Sequence, residues 1–186
     1  MNSTVVIALG ANLPWQGQTP QQTLFDAAAS LKRSGLLQDL RLSSLWRSQP
    51  VRALGPEFVN AALVAESAQS PEALLNLLLK TELAFGRDRR STSAVETIAA
   101  PGEQPTLLSA ARTLDLDLIA VGDWDCQTPA LTLPHPRATE RAFVLEPLAE
   151  LMPGFLLRNA CGERASVATW LSRLPSSDRA QLHPVE

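Results

Sequence analysis

Asp115 and Asp117 stand two apart in residues 113–118 (TLDLDL). A strand repeats every two residues, so both carboxylates point to one face and Leu114, Leu116 and Leu118 point to the other, toward a core. Two like charges side by side repel, and a hard divalent cation offsets that repulsion. Mg²⁺ takes one or two carboxylates together with phosphate oxygens and water, and a pair of such ions can bridge two carboxylates. Taken alone, the string serves equally well as a solvated strand face.

The arginines shift the balance toward phosphate chemistry. Arg87, Arg89 and Arg90 follow a predicted helix, Arg112 stands three before Asp115, and Arg137 and Arg141 follow His135. Guanidinium groups grip phosphate oxygens bidentately and stay charged at any relevant pH. The first three would also complement the carbonyl end of a helix. His135, between two prolines in residues 133–136 (LPHP), is either a ligand contact or a structural residue. Neither GxxxxGK[ST] nor GxGxxG occurs, so a bound nucleotide has to be held by side chains and metal instead of a glycine cradle. Phe58 and Phe143 are two of only five phenylalanines; core packing and ring stacking are both open to them.

These residues need elements to position them. Residues 4–9 (TVVIAL) form a short apolar run that predicts a buried strand. Thr19 and Pro20 predict the start of a helix, with Gln22 completing a capping box and Gly35 as the stop. A second strand is expected over residues 40–48, with Leu40, Leu42, Ser44 and Trp46 on one face, and a third over residues 58–66. Ser70-Pro71-Glu72 opens a second helix that Gly86 ends. Residues 87–111 lack periodicity, and a loop of about 25 residues is generally functional or disordered. The clearest strand is residues 113–121. Helices are expected over residues 141–151 and 165–174, and the polar tail over residues 176–186 is expected to be disordered. The order strand, helix, strand, strand, helix, strand predicts an α+β fold of the ferredoxin-like split βαβ kind. It is an antiparallel sheet with helices on one face, plus a C-terminal helical extension.

Composition bounds the setting. One domain of 186 residues is expected, with 45% hydrophobic and 19% charged residues, long enough for a proper core. A net charge of −3 lacks the basic footprint of a sequence-independent nucleic-acid binder. The two cysteines, Cys126 and Cys161, form no CxxC pair, which favours a reducing compartment. No run is long and apolar enough for a membrane span, and no signal peptide is evident. A cytoplasmic protein, a monomer without nucleic-acid or membrane partners, is expected.

Taken together, several strings resemble one family, the 6-hydroxymethyl-7,8-dihydropterin pyrophosphokinases. They are residues 7–13 (IALGANL), 44–50 (SLWRSQP), 58–62 (FVNAA), 82–89 (ELAFGRDR), 112–119 (RTLDLDLI), 131–135 (LTLPH) and 141–148 (RAFVLEPL). The resemblance implies transfer of pyrophosphate from ATP to the pterin hydroxymethyl group, with AMP leaving. It implies that Asp115 and Asp117 are ligands of two Mg²⁺ ions. Arg87 and Arg112 would hold the ATP phosphates near the transferred group, with Arg89 as a second lid arginine. Thr132, His135 and Arg141 would contact the nucleotide. Phe58 and Phe143 would sandwich the pterin, Asn60 would read its edge, and the backbone near Ser48 and Val51 would add hydrogen bonds. The loop over residues 87–111 would be a catalytic lid that closes over ATP, and its closure would bring Arg87 and Arg89 in. Where the family carries tryptophan and Gly-Pro before the strand arginine, this chain has Ser109-Ala110-Ala111. Two further readings stand beside the enzyme: a divergent member that binds ATP or pterin with weak turnover, as a sensor or partner protein, and a ferredoxin-like nucleic-acid module. The second requires a basic face, whereas the last core strand presents aspartates.

Overall fold

The computed structural model describes residues 2–50, 56–87, 95–96, 107–108 and 111–185. In chain order the elements are β1 (Ser3–Ala11), α1 (Pro20–Arg33), β2 (Gln38–Leu42), β3 (Trp46–Ser48), β4 (Phe58–Ser67) and α2 (Pro71–Ala84). Then come β5 (Val95–Glu96), β6 (Leu107–Leu108), β7 (Asp115–Val121), β8 (Cys126–Gln127), β9 (Thr132–Leu133) and a 3-10 turn at Ala138–Glu140. The chain continues through α3 (Ala142–Leu151), β10 (Leu156–Arg158), β11 (Arg164–Ser166), α4 (Val167–Arg173), α5 (Ser176–Ala180) and β12 (Leu182–Pro184).

The main sheet runs β12-β3-β4-β1-β7, with β2 also paired to β4. Every pairing in it is antiparallel. Strand β1 lies between β4 and β7, the arrangement that two βαβ halves produce when they share one sheet. Alternation along β1 divides the core in two. Val5, Ile7, Leu9 and Ala11 face Leu24, Leu31, Leu74 and Leu78 of α1 and α2. Val6 joins Ala62, Val64, Leu145, Leu148 and Trp170 on the opposite side. Helices therefore cover both faces: α1 and α2 lie on one, and the extension's α3 and α4 cover part of the other. The uncovered remainder of that second face is where the site lies.

Local chemistry sets the helix limits. The Thr19 and Ser70 side chains accept hydrogen bonds from the Gln22 and Ala73 N–H groups, and a proline follows each cap. Gln22 does not close the expected capping box; its amide bonds Asp26 instead. Both helices run into a glycine with left-handed φ, +70° at Gly35 and +76° at Gly86, where a side chain would be strained.

Two expectations about strands and tail are corrected. The single strand over residues 40–48 is two strands. Between them the Ser43 hydroxyl accepts from the Ala62 N–H at 3.0 Å and donates to the Ser44 carbonyl at 2.7 Å, so a side chain takes over the ladder and the alternation resets. Leu42 then pairs with Leu63 of the helix-covered face, while Trp46 pairs with Asn60 on the other. The polar tail is not disordered: α5 leads into β12, which pairs with β3. Of the long loop over residues 87–111, most lies outside the described residues; β5 and β6 pair within it.

Candidate active site

Strand β7 enters the sheet against β1 with Asp115 opposite Gly10 and Asp117 opposite Ala8. Leu114, Leu116 and Leu118 are buried in the core beneath α1 and α2, as the two-residue period requires. A bulge between Val6 and Ile7 shifts the register beyond Leu118. The shift turns both Ile119 and Ala120 to the opposite core and so ends the carboxylate face after Asp117.

Asp115 is bracketed by cations: one oxygen accepts from Arg87 and the other from Arg112. Burial alone would push its carboxyl up, but Arg112 and Arg87 together hold it below the usual carboxylate range. Asp117 differs. Burial and then the neighbouring Asp115 charge push it up to about 6, and its ion-pair partner Arg141 stands 3.8 Å away. Asp115 thus meets two guanidinium groups directly, whereas Asp117 has only the longer pair with Arg141.

Arg87 is placed by α2. Its Nη1 donates to Glu82 Oε1 at 2.7 Å and to the Leu114 carbonyl at 3.2 Å, besides Asp115. Glu82 is 1% exposed and also accepts from the Leu116 N–H, at 2.9 Å. One buried carboxylate therefore fixes both the arginine and the backbone between the two aspartates. A mobile Arg87 brought in by a closing lid is not what the structure holds: with Glu82 and Asp115 as partners, Arg87 is already seated. Its Nε is buried without a hydrogen-bond partner. Arg112 is fixed through its backbone, which donates to Asn12 Oδ1 at 2.7 Å and accepts from the Asn12 and Leu13 N–H groups.

On the other side of β1, Gly10 pairs with Asn60, and Asn60 pairs with Trp46. The Asn60 amide nitrogen donates to Ser48 Oγ at 2.9 Å and to the Trp46 carbonyl at 3.4 Å. Its carbonyl oxygen is thereby turned toward Gly10, 3.5 Å from where a Cβ on that glycine would stand. Phe58 Cδ1 and Asp115 Cβ lie 3.9 and 4.0 Å from the same point. Gly10 is the bare floor between an amide, an aromatic ring and a carboxylate. Glu150 of α3 anchors the outer wall, accepting from Trp46 Nε1 at 2.6 Å and from the Ser44 N–H at 2.8 Å.

The segment after β9 completes the rim. The His135 N–H donates to the Ile119 carbonyl at 2.8 Å, tying the segment to β7. Its Nδ1 accepts from the Arg137 N–H at 3.2 Å, which leaves Nε2 as the protonated nitrogen of the neutral ring. Burial, then Arg141 and Arg137, push His135 down to about 4. Burial and then Arg137 lower Arg141, whose guanidinium lies 5.5 Å over the Phe143 ring.

Of the sequence candidates, the structure brings Arg87, Arg112, Asp115 and Asp117 together on the β7 side, and Ser48, Phe58 and Asn60 on the β4 side. Arg141 links Asp117 to Phe143. Thr132 lies in β9, which pairs with β8, just before His135. Val51 and Arg89 lie outside the described residues. Glu82, Asn12, Gly10 and Glu150 were not singled out as site residues. Two had a signal: a glutamate on the apolar stripe of α2, four after Leu78, and a glycine two residues before an asparagine at the end of an apolar strand. Glu150 reaches its partners from more than 100 positions away and left none.

Among the described residues no cluster of three or more His, Cys, Asp or Glu side chains forms a metal cage. Two hard carboxylates on one strand face do fit a cation that completes its shell with phosphate and water, as Mg²⁺ does.

Residues 6–153 match the family model of 7,8-dihydro-6-hydroxymethylpterin-pyrophosphokinase. The 2-amino-4-hydroxy-6-hydroxymethyldihydropteridine pyrophosphokinase of Synechocystis is 33% identical over 151 residues, covering 81% of this chain and 67% of that one. The protein of the same name from Haemophilus influenzae is 32% identical over 158 residues, covering 84% of this chain and 86% of its own. The match to the folate synthesis bifunctional protein of Arabidopsis thaliana spans only 27% of that protein. A crystal structure of Plasmodium falciparum HPPK-DHPS superposes with a TM-score of 0.62 at 11% identity, over 93% of this chain and 45% of that one. At that identity the likeness speaks for the fold alone. The chain belongs to the 7,8-dihydro-6-hydroxymethylpterin-pyrophosphokinase family.

Proposed function

We propose that this protein transfers the β,γ-pyrophosphoryl group of ATP to the hydroxymethyl oxygen of 6-hydroxymethyl-7,8-dihydropterin, with Mg²⁺, releasing AMP within folate biosynthesis. The observation that carries the proposal is the pairing of two unlike half-sites across Gly10. The β7 carboxylates, met by Arg87 and Arg112, stand on one side, and an oriented amide with an aromatic ring stands on β4. The first suits a triphosphate with its metal; the second suits a flat, polar heterocycle.

Asp115 and Asp117 would hold the Mg²⁺, one or two ions. Bound there, the metal would neutralise phosphate charge and polarise the β-phosphoryl group. Arg87 and Arg112 lie on Asp115 and pass from it to phosphate oxygens when ATP and metal arrive, trading one charge-assisted bond for another. His135, which burial pushes down to about 4 and so keeps neutral at pH 7, donates from Nε2 to the nucleotide, with Arg141 and Thr132 beside it. Arg89 and the backbone at Val51 keep the phosphate and pterin roles that family membership suggests. Phe58 and Phe143 stack on the pterin, Asn60 accepts from its edge through Oδ1, and Ser48 holds that amide in place. The hydroxymethyl oxygen attacks the β-phosphorus in line with the leaving AMP oxygen. These residues contribute mainly by positioning and by charge already in place before reaction.

The protein acts as a cytoplasmic monomer in this reading. The two free cysteines fit a reducing compartment; among the described residues no helix is long and apolar enough to cross a membrane. The test is AMP release from ATP and Mg²⁺ with and without the pterin, in wild type and Asp115→Asn. Pterin-dependent AMP that disappears in the variant is expected. AMP release indifferent to pterin or to Asp115 contradicts the proposal.

A further inference from the structure

Strand β3 is three residues long, yet it holds both acceptors that orient Asn60, the Ser48 hydroxyl and the Trp46 carbonyl. On one side it pairs with β4. On the other it would be a bare edge followed by a loop, were it not for β12. Leu182 pairs with Ser48, His183 with Arg47 and Pro184 with Trp46, and the Val185 N–H donates to the Leu45 carbonyl at 2.8 Å. Antiparallel pairs alternate between hydrogen-bonded and non-hydrogen-bonded. With Val185 and Leu45 bonded, the alternation puts His183 and Arg47 in the next bonded pair. Pro184, which has no N–H, falls at a position that needs none. Leu182 is buried and caps the hydrophobic end of the pairing. Arg179 of α5 bonds Glu146 of α3 at 2.7 Å, so the strand is delivered by the same helix whose Glu150 grips Trp46. Helix α5 and strand β12 lie beyond residue 153, where the family match stops.

We infer that β12 is a positioning strand for the heterocycle half of the site. By pinning β3 it holds Ser48 and Trp46 where they orient the Asn60 amide, and it leaves the phosphate half on β7 untouched. The inference rests on the proposed reaction and deepens it. β12 touches no reacting atom. Its effect passes through β3 to Asn60, so it shows in pterin affinity and not in nucleotide affinity.

The experiment compares full-chain His183→Pro, which removes the ladder donor, with His183→Ala, which keeps the donor and removes only the side chain. A third variant lacks residues 182–186. Steady-state KM for pterin, KM for ATP and kcat are measured for each beside wild type. The expected result is a rise of about tenfold or more in pterin KM for His183→Pro and for the deletion, the order that loss of one oriented hydrogen bond produces. KM for ATP stays within about twofold, and His183→Ala behaves as wild type. Equal rises in both KM values, or loss of all turnover, mark a general structural brace and overturn the inference. So does an unchanged pterin KM in His183→Pro and the deletion. A wild-type protein that makes no pterin-dependent AMP overturns the proposed reaction and the inference with it, a result separable from the others.

Discussion

Gly10→Ala separates site from scaffold more sharply than any other single change. The added methyl would stand 3.5 Å from Asn60 Oδ1, 3.9 Å from Phe58 Cδ1 and 4.0 Å from Asp115 Cβ. Those are ordinary contact distances, and Gly10 has no left-handed φ, so the fold accepts the methyl without strain. Replacing a strand glycine also reduces the freedom of the unfolded chain, worth about 0.4–1 kcal/mol in favour of the folded state. For a chain of this size that is a rise in Tm of about 1–4 °C. The same methyl occupies the floor between the two half-sites, where a heterocycle held by Asn60 and Phe58 has to approach the β7 carboxylates. Displacing a reactant by about 1 Å costs on the order of 100-fold in rate. Thermal denaturation and AMP release, measured on one preparation, should therefore move in opposite directions. Full activity with raised Tm would show that substrate does not cross Gly10. A fall in Tm would show that the floor is packed in the free protein, and either result refutes the reasoning.

Glu82→Gln removes the buried charge beneath Arg87. Breaking a buried pair costs about 3–5 kcal/mol, and because Asp115 still faces Arg87 the low end, about 3 kcal/mol, applies. With a urea slope of about 2 kcal/mol/M the midpoint falls by about 1.5 M; a fall under about 0.5 M would mean that Glu82 is not holding β7 and α2 together. His135 makes stability depend on pH. Its ring stays neutral in the folded state down to about 4, against an ordinary 6.5, so the unfolded chain takes the proton first. The contribution is complete above pH 6.5 and is lost as pH falls toward 4. The full shift is worth about 3 kcal/mol, which partial exposure cuts to roughly 1–2 kcal/mol. Urea midpoints at pH 7.5 and 4.5 should show that much more loss in wild type than in His135→Gln. Asp117→Ala should keep the fold and lower turnover by at least ~100-fold, as loss of metal-site support does; wild-type turnover with an unchanged Mg²⁺ dependence would argue against a ligand role.

The β7 face was legible because strand period and residue type agree: leucines alternate with aspartates for as long as one face is core and the other is not. Helix caps were legible for the same reason, since Thr19 and Ser70 precede prolines and satisfy N–H groups that nothing else can reach. The split of residues 40–48 was hidden because Ser43 replaces a ladder bond with its own hydroxyl, and a serine inside a strand pattern does not announce that. The order in the tail was hidden too. Polar residues over 176–186 predict solvent exposure, and most are exposed; Leu182, in register with Ser48, is what binds the strand. Glu82 sat in plain view on an apolar helix stripe, a buried carboxylate whose partners, Arg87 and the Leu116 N–H, come from other elements. The convergence of Asn60, Gly10 and Asp115 on one spot is a property of register across three strands, which no single segment carries.

The central claim is that two half-sites joined at Gly10 pass a pyrophosphoryl group, not a single phosphoryl group, to a pterin alcohol. Phosphorus NMR of the wild-type reaction with ATP, Mg²⁺ and 6-hydroxymethyl-7,8-dihydropterin tests it directly. The account predicts AMP and a pterin ester bearing two coupled phosphorus signals, both absent with Asp115→Asn. ADP with a single-phosphorus ester, or no pterin ester at all, would contradict it.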